Sequence, residues 1–427
     1  MLLIQNGTIL DPYTGTDEQS DILIGDDGII RRIAPEILPI GGARVIDATG
    51  CTISPGLVDV HVHFRDPGQT EKEDIFTGAA AAMAGGYTTV VCMANTNPVC
   101  DNLQTLEYVQ DKAAQVPIHV LQACAITKGL KGKELTDFDR LHAAGAPGFT
   151  DDGINLTSGK LCYQAMQQAK ALGVPLSFHE EDPAYVLSPG VNYGSEAAKH
   201  FGVLGAMRTS EEDMIARDIE LALLTGARVA FQHVSSGRSV ALIREGKARG
   251  ADIHAEATPH HLTMTEDDVL EFGVNARMNP PLRTEADRQA LIAGLVDGTI
   301  DMVATDHAPH TAEQKNKPFA QSMSGITGLE TAFSVLNSAL VRTGRVTPMQ
   351  LMRAMSQNPA QFYGLTGKEI REGNRAELMI ADWDADVTYT TYQSKSSNTP
   401  FTGHTLAGKI IGIVCGTYCS IGERNPI

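Results

Sequence analysis

From Gly56 onward the chain alternates short apolar runs with longer helical stretches, and eight such runs can be counted before the rhythm ends. They are residues 58–64, 88–94, 119–126, 146–150, 175–179, 228–234, 252–258 and 301–306. Between them lie helical patterns at 159–172, 211–224, 239–248 and 285–295, and another follows the eighth run at 329–340. A strand, a helix and a second strand make the unit of a parallel sheet, and eight strands favour a closed (β/α)8 barrel over an open doubly wound sheet. The flanks differ. Short strand-like runs at 2–4, 8–10, 21–24, 29–33 and 45–47 read as a small β-meander, and the same rhythm returns at 377–381, 387–391 and 410–414. The expected organisation is an α/β chain with a barrel over 56–366, inserted into one small β-sandwich domain made from 1–55 and 367–427.

Charge narrows the partners. Lys and Arg number 34 against 51 Asp and Glu, a net −17, and such a field repels nucleic acid and anionic membrane surfaces. Seven cysteines scattered from Cys51 to Cys419 form no zinc-finger spacing and read as reduced core residues of a cytoplasmic protein. No basic region followed by an apolar run marks the first residues as a secretory signal. The stretch 75–100 has no charged residue, yet it breaks at Gly85-Gly86 into an alanine-rich helix former and a β-branched strand, so it reads as a buried αβ unit rather than a membrane span.

The chemistry is concentrated where the apolar runs end. His61 and His63 are two apart on the first strand and so share a face. His179 ends the fifth strand, His233 the sixth and Asp306 the eighth, while Asp151-Asp152 follow the fourth. In a barrel these positions converge on the carboxyl-end rim, where such folds build their sites. Imidazole with carboxylate suits Zn²⁺, and six ligands suit two ions with a shared water better than one. Either Asp151 or Asp152 can bridge them, and Asp306 is the candidate proton carrier. His119, His142, His200, His254 and His404 show no such convergence, and His260 and His261 can at most support the rim.

Four segments carry a resemblance: His61-Val-His-Phe-Arg-Asp-Pro-Gly68, Met93-Ala-Asn-Thr-Asn-Pro98, Met278-Asn-Pro-Pro-Leu-Arg283 and Ala304-Thr-Asp-His-Ala-Pro-His310. Together they resemble type I bacterial dihydroorotases of the amidohydrolase superfamily, over nearly the whole chain. The resemblance implies a zinc-dependent, reversible cyclisation of N-carbamoyl-L-aspartate to dihydroorotate in pyrimidine biosynthesis. It implies metal ligands at His61, His63, Asp152, His179, His233 and Asp306, two zinc ions, and a proton carried by Asp306. Substrate residues map to Arg65, Asn95, Asn279 and His310, with Ser324 and Gly325 where many relatives have phenylalanine-glycine. A guanidinium fork at Arg65 suits a carboxylate. A homodimer is implied, and association with aspartate transcarbamoylase is open.

The segment 309–324 is expected to lie over the mouth, where it can act as a lid. Two rival readings stand beside this one. Allantoinases and hydantoinases share such a site but commonly bridge the metals with a carboxylated lysine, and no lysine follows the fourth strand before Lys160. A non-catalytic scaffold subunit would lack metal ligands, and all six are present here.

Overall fold

The computed structural model describes residues 1–39 and 41–421. All eight barrel strands are present, at Leu57–Val62, Tyr87–Cys92, His119–Gln122, Phe149–Thr150, Leu176–Phe178, Val229–Phe231, Ile253–Ala257 and Met302–Val303. The first three pair in parallel as one run and the last five as another. Single parallel bridges, Cys124 to Phe149 and Val62 to His307, join the two runs, so the sheet closes on itself. The architecture is a (β/α)8 barrel.

The strands are shorter than their apolar runs, and the eighth is the extreme case. Its run extends to Asp306, but Asp306 adopts φ 47°, which no extended strand can contain, so the ladder ends at Val303 and the next residues turn into the mouth. Val58, Val91, Ala230 and Met302 fill the interior, packed with Phe362 and Tyr363. Helices at Gly159–Leu172, Thr209–Thr225, Gly237–Ala248 and Glu285–Asp297 cover the outside, within a second and larger apolar cluster. Their limits follow from their caps. Ser158 accepts from Leu161 N, Thr284 makes a reciprocal cap with Asp287, and Gly173 ends its helix in the left-handed conformation. The expected helix at 329–340 is split into Ala332–Leu336 and a π-turn at Asn337–Val341.

The uncharged stretch resolves as expected. Asp74 caps a helix at Ile75–Ala84, Gly85-Gly86 end it, and the second barrel strand follows. Gly86 has φ 87°, and a Cβ there would meet Met379 Sδ at 2.5 Å, so glycine lets the barrel approach the C-terminal strands. Among the described residues no helix is long and apolar enough to cross a membrane.

The flanking strands correct the expected meander. Leu2–Gln5 pairs antiparallel with Asp21–Ile24 but parallel with Arg44–Asp47. Thr8–Asp11 crosses into a second sheet, between Thr16–Gln19 and Thr52–Pro55. That six-stranded sheet continues through Glu377–Thr388, Thr405–Cys415 and Tyr418–Cys419, so both ends of the chain share it. Thr16–Gln19 escapes sequence reading because its four residues, Thr-Asp-Glu-Gln, are polar and mostly exposed at a sheet edge. Residues 389–404 leave the sheet and run to the barrel mouth, where Ser394, Ser396 and Asn398 are buried. Residues 422–427 of the expected C-terminal unit lie outside the described residues.

Candidate active site

The mouth of the barrel opens on a cavity of about 460 Å³. At its floor, ligand atoms of His61, His63 and Asp152 lie within 4.8 Å of one another, as do those of His61, His233 and Asp306, and those of Asp152, His179 and His233. All six residues singled out at the strand ends therefore meet. Asp152 stands among the histidines, with Oδ1 3.2 Å from His61 Nε2 and 3.6 Å from His179 Nδ1, and Oδ2 3.4 Å from His63 Nε2. Asp151 turns away, accepting from the amide and hydroxyl of Thr127. Of the two aspartates that the sequence left open, Asp152 is the one that stands at the cluster.

The imidazoles are held in definite orientations. His61 Nδ1 donates to Glu256 Oε2 at 3.1 Å, and His63 Nδ1 donates to Asn95 Oδ1 at 2.9 Å, so both turn Nε2 toward the carboxylates of the cluster. His61 Nε2 is buried with no hydrogen-bond partner. A buried imidazole nitrogen facing two carboxylates is a place that favours positive charge, which a divalent cation would supply in place of the proton, and the donor set fits zinc. The electrostatics agree. Burial disfavours a cation at His61, yet Asp152 and Asp306 lift its pKa well above the ordinary histidine range. Burial raises Asp152, but His61, His179 and His63 hold its carboxyl well below the usual range. His233 is pushed well below the ordinary range by burial and then by His179 and His61, so it stays neutral and able to ligate.

Backbone strain gathers at the same place. Among the described residues five non-glycine residues have positive φ, and three are Arg65 at 58°, His233 at 35° and Asp306 at 47°. Such conformations cost on the order of 1–3 kcal/mol each and persist where surrounding structure enforces them. Asp59 is one enforcer, since its buried carboxylate accepts from His61 N at 3.0 Å and from Thr305 N at 3.2 Å, tying the first strand to the eighth. Burial pushes its pKa up to about 7.

The chain is similar to known proteins in sequence and in fold. A family model described as "Dihydro-orotase-like" matches residues 50–239. A dihydroorotase of Clostridioides difficile is 50% identical over 97% of this chain and 98% of its own length. Those of Clostridium acetobutylicum and Streptococcus pneumoniae are 49% and 46% identical over 96% and 97% of this chain, and over 97% and 98% of their own. The chain belongs to the dihydroorotase family. Among solved structures, the L-hydantoinase (dihydropyrimidinase) of Arthrobacter aurescens superposes with a TM-score of 0.87 at 23% identity, covering 98% of this chain and 96% of that one. A D-hydantoinase (dihydropyrimidinase) from Thermus sp. gives 0.84 at 25%, covering 99% and 95%. The two solved structures share this fold.

The residues that the dihydroorotase resemblance assigns to substrate line the same cavity. Arg65 is half-buried without a carboxylate partner among the described residues, its Nε is buried and unpartnered, and desolvation lowers its pKa to about 10. Asn95 is already engaged twice, through His63 and through Asp152 Oδ2 at 3.2 Å, so it orients the floor of the site as well as lining it. His310 Nε2 donates to Ser324 O at 2.8 Å, leaving Nδ1 as a buried acceptor, and burial with Arg65 and Lys315 nearby lowers its pKa to about 2. Ser324 bonds Arg277 and donates to Asn279 Oδ1 at 3.2 Å. Gly325, at φ 102°, admits no side chain because a Cβ would stand 2.7 Å from that of Ala308.

The expected lid segment is folded down. It carries a short helix at Ala312–Lys315, and buried Lys315 donates to Met323 O and Gly325 O at 2.9 and 3.0 Å. Asn398, arriving from 389–404, accepts from His310 N and donates to Ala308 O and Gly325 O. His261 supports the Asn279 loop through Pro280 O at 3.0 Å. Sequence reading missed Glu256, Asp59, Arg277 and Asn398. Glu256 and Asp59 left a faint signal as single acids inside otherwise apolar strands, while the other two left none.

Proposed function

We propose that this chain is a dihydroorotase that interconverts N-carbamoyl-L-aspartate and (S)-dihydroorotate within pyrimidine biosynthesis. The observation that carries the reading is a floor of four histidines and two carboxylates sharing one cavity with the unpaired guanidinium of Arg65. His61, His63, Asp152, His179, His233 and Asp306 are the residues that would hold two zinc ions. Bound zinc supplies a Lewis acid for the ring amide carbonyl and lowers the pKa of water.

The chain's own residues do the rest. Arg65 takes the substrate carboxylate in its fork and, with Asn279 and His310, fixes the ring so that its scissile amide lies over the floor. Asp306 Oδ1 is 3.0 Å from His63 Nε2, and its side chain reaches the cavity more than that of Asp152 does. In hydrolysis Asp306 takes the proton of the attacking water and gives it to the leaving ring nitrogen; in cyclisation it runs the transfer backward.

The family likeness extends the proposal to a cytoplasmic homodimer, open to association with aspartate transcarbamoylase; light scattering with and without that partner tests both assemblies. The reading itself is tested by offering the zinc-loaded protein L-dihydroorotate, allantoin and dihydrouracil in parallel. Cleavage of dihydroorotate alone is expected. Cleavage of another ring instead overturns the substrate, and silence on all three with metal bound favours a scaffold role.

A further inference from the structure

Arg277 lies on the cavity wall and is not needed by the site described so far. Its side chain is 4% exposed, yet no carboxylate among the described residues pairs with it, and its Nε is buried without a partner. Burial alone lowers its pKa, with no neighbouring charge contributing. An isolated buried cation is unfavourable for folding, so something other than stability accounts for it. The surroundings are built to hold it. Gly190, at φ 90°, leaves room where a Cβ would collide with Arg277 Cγ. The Phe319 ring lies 5.8 Å beneath the guanidinium, and Nη1 donates to Ser324 Oγ, which in turn donates to Asn279 Oδ1.

Dihydroorotate carries its three acceptor groups at alternate ring positions: the scissile C4 carbonyl, the C6 carboxylate and the C2 carbonyl. A complementary cavity therefore needs three poles. The histidine and carboxylate floor faces the first, and Arg65, within electrostatic reach of Asp306 and Asp152, faces the second. Arg277 lines the same cavity but is held by Ser324 and, through it, Asn279, with no ion pair to either acid of the floor. Resting on the dihydroorotase reading, we infer that Arg277 binds the C2 oxygen of dihydroorotate, which becomes the carbamoyl oxygen of N-carbamoyl-L-aspartate. In ring opening a water oxygen bonds to C4, the N3–C4 bond breaks, and N3 receives the proton that Asp306 took from the water. Charge building on the departing ureide spreads from N3 to the C2 oxygen, where the guanidinium meets it. Arg277 is thereby a specificity residue for the ureide and a stabiliser of the leaving group.

The test measures binding of N-carbamoyl-L-aspartate and of succinate, a dicarboxylate without the ureide, to zinc-loaded wild-type, R277Q and R277K proteins, together with dihydroorotate turnover and thermal midpoints. R277Q is expected to weaken N-carbamoyl-L-aspartate roughly 10–100-fold, to leave succinate within about twofold, to lower kcat, and to melt no lower than wild type. R277K, which keeps the charge and loses the fork, is expected to show a smaller loss confined to the same ligand, and it decides the matter alone should R277Q not fold. Equal weakening of both ligands, or of neither, overturns the inference, as does a lowered midpoint with unchanged ligand selectivity. Wild-type protein that binds zinc but turns over no dihydroorotate overturns the functional reading, and this inference with it.

Discussion

Asp152 and Asp306 meet the same histidines but differ in what else they face. The side chain of Asp152 is 4% exposed and hemmed in by His61, His63, His179 and Asn95, whereas that of Asp306 is 15% exposed toward the cavity. On the proposed reading the first would hold cations together and the second would exchange a proton with a ligand. Asp306→Asn is therefore expected to cut turnover by about 10²–10⁴-fold while retaining most of the metal, and Asp152→Asn to lose the metal as well. Metal content by atomic spectrometry beside turnover separates the two, and Asp306→Asn with substantial activity sinks the proton role. Behind them, Glu256 fixes His61, so Glu256→Gln should weaken zinc binding about 10–100-fold, read by competition with a chelator. The histidines were legible because they recur where apolar runs end. Glu256, Asp59 and Arg277 were not, because a single polar residue within a strand or loop has no period, and its partner lies far along the chain.

At the scale of elements, two buried carboxylates anchor the segment that returns to the mouth. Glu330 accepts from Gln393 N and Ser394 N, and Glu73 accepts from Ser394 Oγ and Lys395 N. Burial, with Glu73 adding to it, raises Glu330 to about 7 although those backbone bonds pull the other way. A carboxyl whose folded pKa exceeds its unfolded value of 4.5 contributes stability that is complete below pH 4.5 and is lost as pH rises through 7. The window corresponds to on the order of 3 kcal/mol. Glu330→Gln should remove it, so the variant gains stability relative to wild type between pH 5 and pH 8 by roughly that amount. Denaturant titrations at the two pH values check this, and a difference that does not change with pH refutes it. Element existence was readable from apolar runs and breakers, since all eight barrel strands and the helix before Gly85-Gly86 are where the sequence puts them. Pairing outside the barrel was not, because the parallel match of Leu2–Gln5 with Arg44–Asp47 is a long-range choice that neither segment records.

Across the whole molecule the two chain ends and the barrel form one packed body. Met379, Ala381 and Ile413 of the C-terminal strands belong to the large cluster that covers the barrel, and Glu377–Thr388 pairs with Thr52–Pro55 just before the first barrel strand. A chain cut before Glu377 is expected to lose cooperative unfolding and bind a hydrophobic dye, although every metal ligand is retained. A stable, dye-silent barrel from the shortened chain shows instead that the ends are dispensable. Removing zinc from the full chain should lower its melting temperature, because a ligand bound only to the folded state adds its binding free energy to stability.

Asn398 reaches His310, Ala308 and Gly325 from the far part of the sequence, and the strand that closes the excursion carrying it, Thr405–Cys415, comes later still. Chains fold from the N-terminus as they are made. Every histidine and aspartate of the floor has been synthesised by residue 306, yet the wall that would seat the substrate waits for Asn398 to arrive. The residues of the floor are thus all made before the segment that seats His310 and Gly325, so the substrate wall is the later-built half of the site.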